Sequence, residues 1–333
     1  MTTQQHLHDI DVVIPTRDRP GQLLVTLEAL ARQSFSDFGV VVVDDGSGCD
    51  VAALIPPALR NELGIRFVRN AQSLGAGPAR NRGVAHSRAK YLVFIDDDCI
   101  AGPQLIRRHY EVLSSADEPV VSLGPILSVA GRRLPVWAHW DAHKMEREYD
   151  KLVKGRAVPG WGHLFTGNVG LRRVDFLFVG GFDERFPRGE DVELGYRLAA
   201  HGGRFRFHSE ALVRHDSQRS LKSWMAITAA AAVSDIDMHQ RDPESNQLSR
   251  VSEQLESRHW ALRLVRKFLG GPIAGRCATA IALSAGLVLH AIRADQLAFS
   301  AMSVVWDLTY WRSLQEQLPP GIGSFNRTTI EVA

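Results

Sequence analysis

The sequence predicts an α/β protein built on a mostly parallel, Rossmann-like sheet flanked by helices, and three observations predict it. Short β-rich runs alternate with helical patterns through the first hundred residues, the order expected when each strand is followed by a helix that packs back on the sheet. Residues 40–43 are four consecutive valines, which suits a strand covered on both faces. Two of the apolar runs stop at aspartate clusters, Asp44-Asp45 and Asp96-Asp97-Asp98.

Residues 11–15 form a short first strand ending at a proline, and Leu23, Leu24, Leu27, Leu30 and Ala31 then recur at helical spacing. After the valine strand, a helix covers 51–63 with an interruption at Pro56-Pro57, and 65–69 is a third strand. A glycine-bearing loop over 73–77 leads to a helix starting at Pro78, a good first-turn position for proline. Residues 91–95 are the strand that runs into the second aspartate cluster. The pattern is looser from 114 to 154, where Trp137, Trp140 and a charged helical run over 144–151 stand out. Regular structure resumes at 164–171, followed by a helix over 191–200 closed by Gly202-Gly203. One strand is expected over 204–213, and beyond Arg219 the chain reads as helix, broken near 241–249 and 270–272. These features place one domain at 1–240, in two parts of about 9–125 and about 126–240, and a helical appendage at 241–333.

The 333 residues carry 45% hydrophobic and 23% charged side chains, enough to bury a sizeable core. A formal net charge of +2 gives no global attraction to nucleic acid. Cys49, Cys99 and Cys277 are too scattered for a disulfide framework or a zinc site, and no leader-like segment opens the chain; both favour the cytoplasm. The most apolar stretch, 277–292, would give a helix of about 16 residues and roughly 24 Å, short of a bilayer core. It is expected to be a buried or dimer-forming helix, with peripheral contact at the inner membrane face as the alternative.

In a doubly wound sheet, ligands bind beyond the carboxyl ends of the strands. Aspartates gathered there repel one another unless a cation or hydrogen bonds relieve them. A hard divalent cation, Mg²⁺ or Mn²⁺, on oxygen ligands and substrate phosphates is one resolution; ordinary turns and helix caps are the other. Arg80, in the first turn of its helix, suits a diphosphate or an acidic neighbour. Gly75-Ala76-Gly77 is a weak dinucleotide signal, because Arg80 stands where the third glycine belongs. Glu190 and Asp191 open a helix, where acids serve as caps as well as catalysts. His215 follows the last strand, and a lone histidine there is more often structural than a metal ligand. Trp137, Trp140, Trp161 and His163 could stack on an acceptor or simply fill a core.

Seven segments together resemble the family-2 glycosyltransferases of GT-A fold: VVIPTRDRP (12–20), VVVDDGS (41–47), LGAGPARNRG (74–83), FIDDDC (94–99), TGNVGLRR (166–173), GGFDERF (180–186) and EDVELGYRLAAHG (190–202). The resemblance runs from about residue 11 to 216, and it implies that the domain at 1–240 is catalytic, with a donor half at about 9–125 and an acceptor half at about 126–240. It implies that Pro15, Thr16 and Arg17 line the donor nucleotide, that Asp44 reads the base with Asp45 close by, and that Arg80 lies against the diphosphate. Asp96 and Asp97 fall near ribose and metal, Asp98 is the firmest metal ligand, and His215 completes the metal shell. Asp191 corresponds to the catalytic base. Glu190, Gly167, Asn168 and Trp161 fall on the acceptor side.

What the resemblance implies is inverting transfer of a single sugar from a nucleotide-diphosphate sugar, a UDP-sugar first, to a small-molecule, glycan or lipid-linked hydroxyl. The Gln-x-x-Arg-Trp signature of processive synthases is missing, since Tyr310-Trp311-Arg312 only echoes it. A sugar-phosphate nucleotidyltransferase and a non-catalytic nucleotide-sugar-binding protein are the alternatives. The first normally needs a basic glycine-rich loop near its start, which VVIPTRDRP does not supply.

Overall fold

The structure is a computed structural model, and it describes residues 8–186, 188–216, 219–242, 245 and 247–317. The chain forms two compact units, Met1–Arg132 with Lys144–Ser217, and Arg133–His143 with Gln218–Ala333. The sequence reading set its division near 240, after the first long helix of the second unit. That helix joins the second unit because its buried residues face other helices of that unit.

The first unit runs β1 (Ile10–Thr16), α1 (Pro20–Ala31), β2 (Gly39–Asp44), α2 (Val51–Leu54), α3 (Pro57–Glu62), β3 (Arg66–Arg69), α4 (Ala76–Ala85), β4 (Tyr91–Ile95), β5 (Cys99–Ala101), α5 (Leu105–Ser114), β6 (Val120–Leu123) and β7 (Ile126–Ser128). Helix α6 (Val136–Val153) passes from the second unit into the first at residue 144. A 3₁₀ turn (Trp161–His163), β8 (Asn168–Arg172), α7 (Arg173–Phe178), α8 (Glu190–Ala200), β9 (Arg204–Phe207) and β10 (Val213–His215) complete it.

The main sheet has the order β3-β2-β1-β4-β8-β6-β9, with β5-β10-β7 as a second small sheet. Strands β3, β2, β1 and β4 are mutually parallel, and β8 runs against β4 and β6. Register aligns Thr16 with Asp44 and Val13 with Phe94, so the carboxyl ends of β1, β2 and β4 open on the same edge. Alternate residues feed cores on opposite faces. Ile10, Val12, Ile14, Val40, Val42, Val93 and Ile95 pack on one side, and Val13, Leu92 and Phe94 on the other. Burial on both faces is why these strands read as unbroken apolar runs. Each such side chain contributes on the order of 1.5–3 kcal/mol. Helix α4 crosses this sheet at Gly83, where a Cβ would stand 2.5 Å from Val13 Cγ1 and 3.1 Å from Val43 Cγ2.

Several local expectations differ from the structure. Helix α4 starts at Ala76, two residues before Pro78, with Gly75 at φ +103° as its cap. The single strand expected over 204–213 is two, β9 in the main sheet and β10 in the small one. The reason is a turn between them, where the Ala211 amide donates to the His208 carbonyl.

The second unit consists of α9 (Leu221–Arg241), α10 (Gln247–Glu256), α11 (Trp260–Leu269), α12 (Pro272–Ala291) and α13 (Asp295–Gln317), together with the start of α6. Trp140 packs between Trp224 and Trp306 at ring-centroid distances of 5.7 and 5.5 Å. Its indole N–H donates to Ser303 Oγ, and that of Trp137 donates to the Arg219 carbonyl. Both tryptophans therefore build this unit's core, and the acceptor-stacking reading of them is withdrawn. The apolar helix also differs from expectation. It has 20 residues, about 30 Å of helix, and only 17% of its most apolar window is buried. It is neither short nor a buried core helix.

Candidate active site

The first unit gathers its acids where the register of the sheet requires. Asp97 accepts from the Thr16 hydroxyl at 2.7 Å, tying the end of β1 to the segment after β4. The Arg19 guanidinium lies 3.3 Å from Asp97 Oδ1 and 3.2 Å from Asp98 Oδ2. Asp98 Oδ1 lies 3.0 Å from His215 Nε2, because β10 pairs with β5 and sets His215 opposite Cys99. Burial works against the Asp98 carboxylate, but His215 and Arg19 overcome it and hold its pKa below the ordinary value. Asp97 behaves in the opposite way. Burial, with Asp98 and Asp96 beside it, pushes it up to about 6 despite the Thr16 hydrogen bond and Arg19.

Arg80 joins this cluster to the start of α8. Its side chain is 4% exposed, and it reaches Asp96 Oδ1 at 2.7 Å and Glu190 Oε1 at 3.0 Å. The guanidinium also lies 5.6 Å from the centre of the Phe182 ring. Helix α4 is fixed at this point by Asn81, which exchanges hydrogen bonds with the Phe182 backbone, both at 2.8 Å. Asp191 follows Glu190, with Val192 N–H donating to its Oδ1 at 2.8 Å. Burial first, then the charge of Glu190, pushes the Asp191 carboxyl up to about 7, while Arg80 pulls the other way. The fields of Asp96 and Arg80 both reach this group. Arg80 thus ties the segment after β4 to the start of α8.

The remaining residues of the sequence reading fall into place with different roles. Asp44 caps its own turn, accepting from Ser47 N–H at 2.9 Å, with Arg69 Nε 3.5 Å away. Asp45 accepts from Asn70 Nδ2, Ser73 Oγ, and the amides of Leu74 and Gly75 at 2.7–3.2 Å. Burial disfavours its charge, but these donors win and lower its pKa. Its carboxylate organises the 73–75 loop and is turned inward. Gly46, at φ +74°, lets that loop approach, since a Cβ there would meet the Gln72 and Ser73 backbone at 2.7 Å. Arg17 is exposed and donates to Ser73 Oγ at 2.8 Å, and Pro15 is half-buried at the end of β1.

Asn168 differs most from expectation. It is 2% exposed, and its amide N–H groups donate to the carbonyls of Pro125 and Ala211 at 3.0 and 2.7 Å. Its Oδ1 lies 2.9 Å from His109 Nε2, and His109 Nδ1 lies 2.9 Å from Ser122 Oγ. Burial drives His109 down to about 4, so the ring is neutral. Asn168 is a core clamp with both amide N–H groups committed to backbone carbonyls. Gly167 lies beside Asp96, since a Cβ there would stand 3.3 Å from Asp96 Oδ2. Glu190 is committed to Arg80. Trp161 meets Tyr196 of α8 edge to face at 5.6 Å. Arg19, Ser73 and His109 were missed. Of these, only Arg19 had a signal, as a cation just beyond the strand end that carries Thr16.

Whether these residues suit a divalent cation can be judged from the donors. Asp96 and Asp98 carboxylate oxygens and Cys99 Sγ lie within 4.8 Å of one another. Burial, Asp96 and Asp98 push the Cys99 thiol well up, so it stays protonated. Two carboxylates with a neighbouring imidazole remain, a donor set that fits a hard cation such as Mg²⁺ or Mn²⁺.

Comparison with known proteins finds relatives among glycosyltransferases. The family model described as Glycosyl transferase family 2 matches residues 11–176. The chain is 33% identical over 228 residues to validoxylamine A glucosyltransferase of Streptomyces hygroscopicus subsp. jinggangensis, covering 59% of this chain and 53% of that one. It is 30% identical over 246 residues to pre-mycofactocin glycosyltransferase of Mycobacterium tuberculosis, covering 71% and 48%. The chain therefore spans about half the length of the curated relatives it matches. Among solved structures, mannosyltransferase PcManGT of Pyrobaculum calidifontis, in complex with GDP-Man and Mn²⁺, aligns with TM-score 0.60 at 14% identity, covering 94% and 89%. TarS 1-349 of S. aureus, in complex with UDP, aligns with TM-score 0.52 at 16% identity, covering 92% and 90%. These likenesses establish the GT-A fold. With the matched segments, the shared edge of β1, β2 and β4, and the relatives named, the chain belongs to glycosyl transferase family 2.

Proposed function

We propose that this chain transfers a single sugar, with inversion, from a nucleotide-diphosphate sugar to an acceptor hydroxyl. The observation that carries the reading is the buried Arg80 bridge, which holds Asp96 and Glu190 to one guanidinium. It supports a donor cluster and a base on either side of one crevice, as displacement at an anomeric carbon requires. Asp191, raised to about 7, is matched to removing a proton from a hydroxyl near neutral pH. Thr16, Arg17, Asp44 and the 73–75 loop shaped by Asp45 are the candidates to receive the nucleotide. Arg80 and Arg19 supply fixed positive charge near the diphosphate. Asp96 and Asp98, with His215, would hold Mn²⁺ or Mg²⁺, which when bound neutralises charge on a departing diphosphate. Inversion follows from a base and a leaving-group site on opposite sides of the sugar.

A UDP-sugar is our first choice of donor, since TarS 1-349 is solved with UDP and with UDP-GlcNAc. PcManGT, solved with GDP-Man, makes a guanine donor the comparison to run. The test is a thermal-shift screen of UDP- and GDP-sugars with and without Mn²⁺, followed by NMR of the product's anomeric configuration. The proposal expects a Mn²⁺-dependent shift for one donor and an inverted product. Retention of configuration, or donor binding indifferent to EDTA and to Asp98→Ala, contradicts it. Pyrophosphate release from a nucleoside triphosphate would point to a nucleotidyltransferase instead.

A further inference from the structure

Helices α11 and α12 present apolar side chains outward. None of the ten residues of α11 is buried, and Trp260, Leu264 and Phe268 form a stripe at four-residue spacing, Phe268 being 71% exposed. On α12, Ile273, Ile281 and Val288 line one face, Ile292 follows just beyond its end, and all four are exposed. The opposite side is the one that packs within the unit, where a Cβ on Gly286 would lie 3.2 Å from Met302 Sδ of α13.

Charge identifies the occupant. No acidic residue occurs between Glu256 and Asp295, whereas Arg258, Arg263, Arg266, Lys267, Arg276 and Arg293 do. Arg266 is partly committed within the unit, lying over the Trp311 ring at 5.2 Å and 3.8 Å from Asp307. Arg263, Lys267, Arg276 and Arg293 are exposed. Apolar and aromatic residues rimmed by cations are the composition of a helix that lies in a bilayer interface. A second copy of the chain suits the surface less well. A two-fold contact sets the same patch against itself and would bring two cationic rims together.

We infer that α11 and α12 form a docking surface for an anionic lipid bilayer, with their exposed faces seated at the headgroup level. The α12–α13 packing is retained, so the helix lies on the membrane and does not cross it. This inference is independent of the transfer reaction, and a chain inactive as a transferase would still bind.

The experiment is flotation of the full chain with vesicles of phosphatidylcholine alone or mixed with phosphatidylglycerol. Flotation with the anionic vesicles, weakened by added salt, is expected. Lys267→Glu, a change of two charges, should lower the bound-to-free ratio roughly thirtyfold, and Phe268→Asp with Ile281→Asp should abolish flotation. Circular dichroism melts check that each variant folds; Lys267→Glu alters an exposed side chain and keeps the test intact if the double variant does not. Absence of flotation with either composition at low salt overturns the inference. So does a dimer, seen by light scattering, that Ile281→Asp dissociates while vesicle binding is nil.

Discussion

Replacing Asp191 by asparagine removes a proton acceptor while keeping the side chain's shape and the oxygen that receives the Val192 amide. General-base assistance typically contributes ~10²–10⁴-fold, about 3–5 kcal/mol at 1.36 kcal/mol per decade. The asparagine variant should lose turnover by that factor while donor affinity, read by calorimetry, stays within about twofold of wild type. The pH profile gives a second reading. The carboxyl sits at about 7, so wild-type activity should rise through neutrality. One unit below, roughly a tenth of molecules carry the base in its active form. Stability should move the other way. A carboxyl raised above its unfolded value of 3.8 stabilises the fold fully below that value and loses this contribution as pH rises through about 7. Asparagine keeps its neutral form at all these pH values, so the variant should melt at or above the wild-type temperature at pH 8. Transfer rates within about threefold of wild type, or an acid limb that survives the substitution unchanged, would refute the assignment.

Other substitutions probe the crevice and its supports. Glu190→Gln removes a negative neighbour of Asp191 and should shift the acid limb of the pH profile to lower pH, checked by kcat/KM from pH 5 to 9. Asn168→Ala leaves the His109 ring and the carbonyls of Pro125 and Ala211 without their partner. Each unsatisfied group costs about 1–3 kcal/mol, so urea denaturation should show the loss while the acceptor KM of the folded fraction is unchanged. Gly83→Ala drives a methyl into Val13 and Val43 and should cost about 1–3 kcal/mol, seen as a lowered melting temperature. Asp45→Ala frees the amides of Leu74 and Gly75 and should weaken donor binding more than it slows bound-state turnover, a split that KM against kcat measures.

The parallel half of the sheet was legible because its strands are buried on both faces, which leaves no polar residue to interrupt 40–43 or 92–95. The acid clusters were legible for the complementary reason, since polarity returns abruptly where a strand leaves the core. What individual acids do there was not legible. Asp44, Asp45, Asp96, Asp97 and Asp98 look alike in sequence, yet five donor hydrogen bonds turn Asp45 inward while Asp96 keeps a side chain 36% exposed. Asn168 misled because its partner His109 comes from α5, 59 residues away. Trp137 and Trp140 misled because 133–143 leaves the first unit and joins the second, a step with no local pattern. The apolar run at 277–292 is hydrophobic on every side, and periodicity cannot say which side a protein covers.

The charge of Asp96 is felt at Asp191 beyond the Arg80 bridge, so a cation bound at Asp96 would make proton and cation affinities reciprocal. Any cation that neutralises Asp96 removes one of the negative charges that strengthen the hold of Asp191 on its proton. Thermodynamic linkage then requires that protonating Asp191 weaken that cation's binding by the same factor. Acidification would therefore disarm the base and loosen the donor side together, and the enzyme's response to pH would be steeper than that of a lone titrating carboxyl.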